Sequence, residues 1–293
     1  MLAETLSLES FGPYLEDQSL GNVGRVQIAG LVLLVWLLAR ERFLLAGLTL
    51  GLLVAFKPNV ASVALTLGGG WLVSRQVHKL ARVVVGALDG AALAVALSSW
   101  FFGSARCWSD WLEQLGRLMQ EGAWDDVNFA LPRVLREVAG LGQLAWLGWR
   151  APLAFFGVLW VRRATLSRAV MVLHAGAPLS ARRFDVFLMG VGATLPLLTS
   201  ELAWYHYFVG VLPLCLYLLR PAGELDGPPP SLSSRLACVA ALIAVSLEAP
   251  RMLFDLSQEA HMALVAAGAV LAMGLACHVL WRLESATRSP GPR

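Results

Sequence analysis

The chain has 293 residues, 57% hydrophobic and 15% charged, with a net charge of +3 and a mean hydropathy of +0.65. A soluble domain carries roughly 25% charged residues, so this chain has too few polar groups to cover a water-facing surface. Its small charge and lack of a basic block exclude a nucleic-acid partner, and the excess of arginine over lysine looks like the mark of a GC-rich bacterial genome.

The N-terminus is acidic (Glu4, Glu9, Glu16, Asp17). No basic stretch precedes an apolar core there, so no cleavable signal peptide is read. Nine apolar segments follow, near 20–39, 43–56, 60–73, 83–102, 141–161, 184–199, 207–219, 236–249 and 260–281. Runs such as 28–39 do not alternate as a barrel strand would. Lipid offers no partner to an open backbone group, so closed helices are predicted. Several segments fall short of the roughly 20 residues of a full span, which predicts tilting, extension into the flanks, or half-helices. The fold class is all-α, with 1–293 a single transmembrane bundle and no internal repeat.

Between the second and third segments stands Lys57-Pro58-Asn59. Pro58 breaks the helix and drives Lys57 out of α geometry, leaving Asn59 to cap the next helix. A lysine beside a fresh helix N-terminus suits an anion, while the plainer reading is a lysine that snorkels to the interface. Gly68-Gly69-Gly70 lies within an apolar run and permits close packing. Arg25 and Asp89 sit in apolar segments; a pair across the bundle is the ordinary explanation, and a functional site the other.

The long connection 103–140 carries two amphipathic stripes, Trp108-Trp111-Leu112-Leu115-Leu118 and, after a capping Asn128, Leu131-Val134-Leu135-Val138. Two helices lying on the outer membrane interface fit them. Between them Asp125 and Asp126 followed by Asn128 suit a divalent cation or sugar hydroxyls, or else a solvated turn. Arg150 lies within the fifth segment, facing a lipid phosphate or a bundle acid. The hinge Glu201 to Tyr207 gathers an acid, His206, Trp204, Tyr205 and Tyr207. It reads either as an aromatic belt or as a cleft whose rings stack on a sugar or headgroup. The 221–235 stretch, with Pro228–Pro230, is read as a cytoplasmic linker. Of the cysteines, Cys215, Cys238 and Cys277 are in apolar segments and Cys107 in a loop, which is no disulfide or metal pattern.

With the acidic N-terminus outside and alternation thereafter, fifteen of the 23 basic residues fall in inside loops and the tail, and fourteen of the 20 acids fall outside. The arginine asymmetry therefore predicts N-outside and C-inside, in a bacterial plasma membrane. The polar hinges then share the outer face. No soluble catalytic signature is present.

The order of these features resembles the C-terminal two-thirds of glycosyltransferase family 87, bacterial membrane enzymes of the C-type superfamily. Ala46-Gly47-Leu48-Thr49-Leu50-Gly51 through Phe56-Lys57-Pro58 matches the family's Ala-Gly-to-Lys-Pro stretch closely, and Gly21-Asn22-Val23-Gly24-Arg25 its opening motif loosely. The outer loop from Trp108 to Leu135 and the histidine hinge at Trp204–Tyr207 follow in the family's order. The resemblance implies transfer of a hexose, often mannose, from a polyprenyl-phosphate donor to a lipid or glycan acceptor, by inverting displacement. It makes Lys57, Arg150 and His206 donor-phosphate ligands and Asn59, Asn128, Trp204, Tyr205 and Tyr207 sugar or acceptor ligands. The family's presumed catalytic aspartate belongs to a first outer loop, and no such loop or span precedes residue 19 here. Asp125, Asp126 and Glu201 are the weak substitutes. No resident metal is assigned; magnesium or manganese is the cofactor such chemistry admits. The competing expectations are a non-catalytic scaffold related to the family, and a transporter or flippase of a lipid-linked solute built on broken helices.

Overall fold

The computed structural model describes residues 13, 24–121, 129–138, 140–144, 146–161, 178–200, 203, 205–219, 232–246 and 257–287. Among them every element is helical and there is no strand. The longer helices are α1 Gly24–Ala39, α2 Phe43–Phe56, α3 Ala61–Val73, α4 Val77–Phe101, α5 Arg106–Glu121, α6 Trp146–Val161, α7 Pro178–Thr199, α8 Leu212–Leu219, α9 Leu232–Val245 and α10 Gln258–Thr287. Short 3₁₀ turns at Pro58–Val60, Gly142–Leu144 and Tyr205–Val211, and a helical turn at Leu131–Arg133 running into a π turn at Val134–Val138, link them.

Glycines decide the tightest crossing. Gly47 and Gly51 of α2 sit on the backbone of α4, where an added Cβ would overlap the carbonyl oxygens of Val83 and Ala87. Gly86 and Gly90 of α4 reciprocate against the carbonyls of Leu44 and Leu48. Two small-residue faces spaced four apart thus let the helix axes approach closely, the device by which helices associate where burial of apolar surface gives no preference.

The centre of the bundle is α7, which packs on α1, α3, α6, α8 and α10. Its seam with α3 is fastened by hydroxyls. Ser62 Oγ donates to the Gly192 carbonyl at 2.6 Å, and Thr66 Oγ1 to the Leu188 carbonyl at 2.9 Å. Trp71, Phe155, Phe187 and Phe208 are the largest side chains sealed in the core. The glycine triplet is a packing surface, with Gly69 facing the Phe156 ring and Gly70 the Leu188 side chain.

Helices occupy all nine predicted apolar segments, with shifted ends. α4 starts at Val77, before residue 83, because His78, Lys79 and Arg82 continue the helix although hydropathy reads them as loop. The eighth segment is helical from Leu232, so 232–235 of the expected linker form its first turn; 221–231 lie outside the described residues. The segment from 207 begins as a 3₁₀ turn and becomes α-helical at Leu212, where Pro213, lacking an N–H, sits in the first turn. Two helices, Val77–Phe101 and Gln258–His278, are long and apolar enough to cross a membrane; α2 and α9 are among the shorter apolar ones.

The connection 103–140 divides differently from expectation. Its first stripe forms α5, mostly exposed, tied to the end of α4 by Trp108 Nε1 donating to Ser98 Oγ at 2.7 Å. The second stripe enters the bundle instead of lying on it. Phe129, Ala130, Pro132, Arg133 and Val134 are all buried, because that apolar face finds a partner in α10 and α7. The expected Arg25–Asp89 pair is also absent on the Asp89 side: Asp89 is exposed on α4 and makes no hydrogen bond or ion pair among the described residues.

Candidate functional site

Four separate stretches of chain meet at one end of the bundle. The first is the α2–α3 hinge. Lys57 is extended (φ −137°, ψ 104°), as a residue before proline must be, and its N–H still closes α2 on the Leu53 carbonyl. Pro58 opens the 3₁₀ turn that leads into α3. The second stretch is the hinge after α7. Its Tyr207 ring lies 5.1 Å from Lys57 Nζ, a cation–π contact. In the adjoining turn the Asn59 Oδ1 is buried and accepts no hydrogen bond among the described residues, a state that costs about 1–3 kcal/mol where no donor arrives.

The third stretch is Phe129 with the turn that follows it. The Phe129 N–H donates to the Ala203 carbonyl at 2.7 Å, fastening this strand of chain to the post-α7 hinge. The fourth is the start of α10. The buried His261 ring meets Phe129 edge-on at 5.2 Å, and Phe129 in turn meets Phe208 at 6.3 Å. Arg133, 9% exposed, lies one turn beyond Phe129. A lysine, an amide oxygen unpartnered among the described residues, aromatic rings and a buried arginine and histidine therefore share one end of the molecule.

Of the residues singled out in the sequence, the structure brings Lys57 and Tyr207 together with Asn59 nearby. Arg150 is exposed on the second turn of α6. Tyr205 and His206 lie in the 3₁₀ turn that carries Tyr207; their side chains, and Asp125, Asp126, Asn128, Glu201 and Trp204, lie outside the described residues. No cluster of three His, Cys, Asp or Glu side chains converges among the described residues. Two participants went unread: Arg133, hidden in an amphipathic stripe, and His261, which follows Gln258 and Glu259 in the first turn of a mostly apolar helix.

The opposite end holds a second polar cluster that sequence reasoning also passed over. Lys79 Nζ lies 2.5 Å from Asp185 Oδ2, and Trp71 Nε1 donates to Asp185 Oδ1 at 2.7 Å. The Lys79 ammonium also sits 4.7 Å from the Trp71 ring. Both charges are at most 9% exposed. Each oxygen of the carboxylate has a donor, so the cluster is satisfied and serves as a clamp between α3, α4 and α7.

The sequence profile of glycosyltransferase family 87 matches residues 3–185. The chain belongs to glycosyltransferase family 87. No curated protein and no solved structure matches it. Membership in glycosyltransferase family 87 makes the general chemistry transfer of a glycosyl group from a sugar donor to an acceptor. The matched span contains Lys57, Asn59, Arg133 and the Asp125–Asp126 pair; Tyr207 and His261 lie beyond it. The family's Ala-Gly-to-Lys-Pro stretch resolves into two tasks here: its glycines seat α2 on α4, and its Lys-Pro ends α2 at the site.

Proposed function

We propose that the chain is a membrane hexosyltransferase that moves a sugar, mannose being the leading case, from a polyprenyl-phosphate donor to a lipid or glycan acceptor on the outer face of a bacterial plasma membrane. The observation that carries this reading is Lys57, projected by Pro58 over the Tyr207 ring with the buried Asn59 oxygen, unpartnered among the described residues, in the adjoining turn. A phosphate drawn to a lysine at a helix opening, a ring that stacks on a sugar face and an amide oxygen that accepts from a hydroxyl form a set suited to a lipid-linked sugar phosphate. Family members are membrane enzymes, and α4 and α10 are long enough to span. The basic turn at Arg40–Arg42 and the basic residues Arg75, Lys79 and Arg82 around the start of α4 lie at the end away from Lys57, which favours a bundle of about nine spans with the site outside and the C-terminus inside.

In this reading the acceptor oxygen forms the new bond to the anomeric carbon while the bond from that carbon to the phosphate oxygen breaks, with inversion. A carboxylate removes the acceptor proton, and Asp125, Asp126 and Glu201 are the candidates. The departing phosphate keeps the electron pair, and Lys57, with Arg150 and His206 as further candidates, stabilises its charge. Asn59, Asn128, Trp204, Tyr205 and Tyr207 would hold sugar or acceptor. A magnesium or manganese ion, if bound, would supply further charge at the phosphate.

The test is transfer of radiolabelled mannose from polyprenyl-phosphate mannose by the full-length protein in vesicles. Lys57→Ala is expected to lower transfer by about a hundredfold, the scale of losing one donor to a developing anion. Normal transfer by that variant would remove the phosphate role from Lys57.

A further inference from the structure

Among the described residues, the middle of α4 packs on α2. Its glycines seat on α2, while Val84, Val85, Leu88, Leu93, Val95 and Leu97 point away and are 41–67% exposed. Within its apolar stretch 17% is buried inside the protein, against 50% for α10. Lipid alone would satisfy such a face if it were uniformly apolar, and it is not.

Asp89 stands exposed in the middle of it, without a hydrogen bond or ion pair among the described residues. Its depth can be read from the helix itself. Trp100, Phe101 and Phe102 form an exposed aromatic group at one end, as residues at a membrane interface do. Lys79 marks the other, basic end. At 1.5 Å per residue Asp89 lies about 16 Å from Trp100 and about 15 Å from Lys79, near the middle of a slab about 30 Å thick. A carboxylate facing acyl chains at that depth is costly, and such residues pair with another group. On the same face Ala92 and Ala96, both exposed, follow Asp89 by one and two turns, leaving a flat strip on which a second backbone can rest.

A second copy related by a two-fold axis along the membrane normal would set Asp89 against Asp89, which the like charges oppose. Charge complementarity points elsewhere. We propose that the outward face of α4, centred on Asp89, Ala92 and Ala96, receives a transmembrane helix of another polypeptide whose mid-depth Arg or Lys pairs with Asp89. The inference rests on α4 spanning a membrane, as the proposed function has it.

The experiment uses the full chain, dye-labelled and reconstituted in phosphatidylcholine vesicles. It is challenged with acceptor-labelled synthetic Leu–Ala helices of about 21 residues bearing either Arg or Leu at the centre. The Arg helix is expected to associate about tenfold more tightly, the scale of one polar contact between helices in lipid. Asp89→Leu is expected to erase the preference and Asp89→Glu to keep it. Equal binding of the two helices, or a preference surviving Asp89→Leu, overturns the proposal. So does efficient disulfide cross-linking between copies carrying Ala92→Cys in a Cys107→Ser background, since the face is then covered by the chain itself. Release of the wild-type protein from vesicles by alkaline carbonate overturns the membrane-spanning reading and this inference with it. Equal binding by a carbonate-resistant protein overturns the inference alone.

Discussion

Lys57 owes its place to the residue after it. Proline has no N–H and its ring crowds the backbone before it, so α2 stops with Lys57 extended and its ammonium over Tyr207. Pro58→Ala removes that restriction while leaving the lysine in the chain. Transfer measured with the labelled donor is expected to fall at least about tenfold, by displacement of the cation from the position proposed for it at the donor phosphate. The clamp at the other end makes a different prediction. Lys79→Met takes the ammonium away from a buried carboxylate and is expected to cost about 3–5 kcal/mol in detergent-solubilised unfolding. Adding Asp185→Asn should recover most of it, because the amide oxygen still accepts from Trp71 Nε1. Adding Asp185→Leu instead leaves that indole N–H stranded and should recover about 1–3 kcal/mol less. The local part of this was readable in advance, since Lys-Pro is a neighbour effect. The pairing of residues 79 and 185 was not, because it depends on α4 and α7 lying side by side, and no local pattern encodes that.

At the level of helices, uninterrupted apolar runs placed the elements, and polar residues that continue a helix blurred their ends. Hydropathy gave Val77–Arg82 to a loop although those residues extend α4 by more than a turn. It also treated the stripe at Leu131–Val138 as a surface helix, since an apolar face has the same period whether it meets lipid or core. Only the bond from Phe129 to Ala203 and the ring contacts with Phe208 and His261 decide between them. The glycines that were visible as a motif turn out to carry the α2–α4 crossing. Gly51→Ala would drive a methyl group into the Ala87 carbonyl, with backbone on both sides unable to give. It is expected to cost on the order of 3 kcal/mol and to lower the thermal midpoint accordingly. Gly116→Ala on α5 meets nothing within 4 Å and should raise stability by up to about 1 kcal/mol through helix propensity. A similar loss for both substitutions would show that the crossing is not set by steric contact.

Across the whole molecule, simple alternation of helix direction already put the hinges at 57–59 and 201–207 on one side. What alternation could not say is that the first and second touch, or that Phe129 and the start of α10 join them. The contacts concerned link residues far apart in sequence, from Lys57 to Tyr207 and from Phe129 to His261. Those distances have a consequence in time. The α2–α4 pair joins neighbours in the chain and can form as soon as residue 101 is made, whereas the hydroxyl seam between α3 and α7 waits for residue 192. Lys57 acquires the Tyr207 ring only when residue 207 emerges, and Phe129 meets His261 only when α10 is made. Chains are built from the N-terminus at a finite rate, so a nascent polypeptide holds its early helix pair long before it holds a finished site. α10 thereby supplies its share of the site late in synthesis, and a chain made only as far as α4 carries Lys57 without Tyr207.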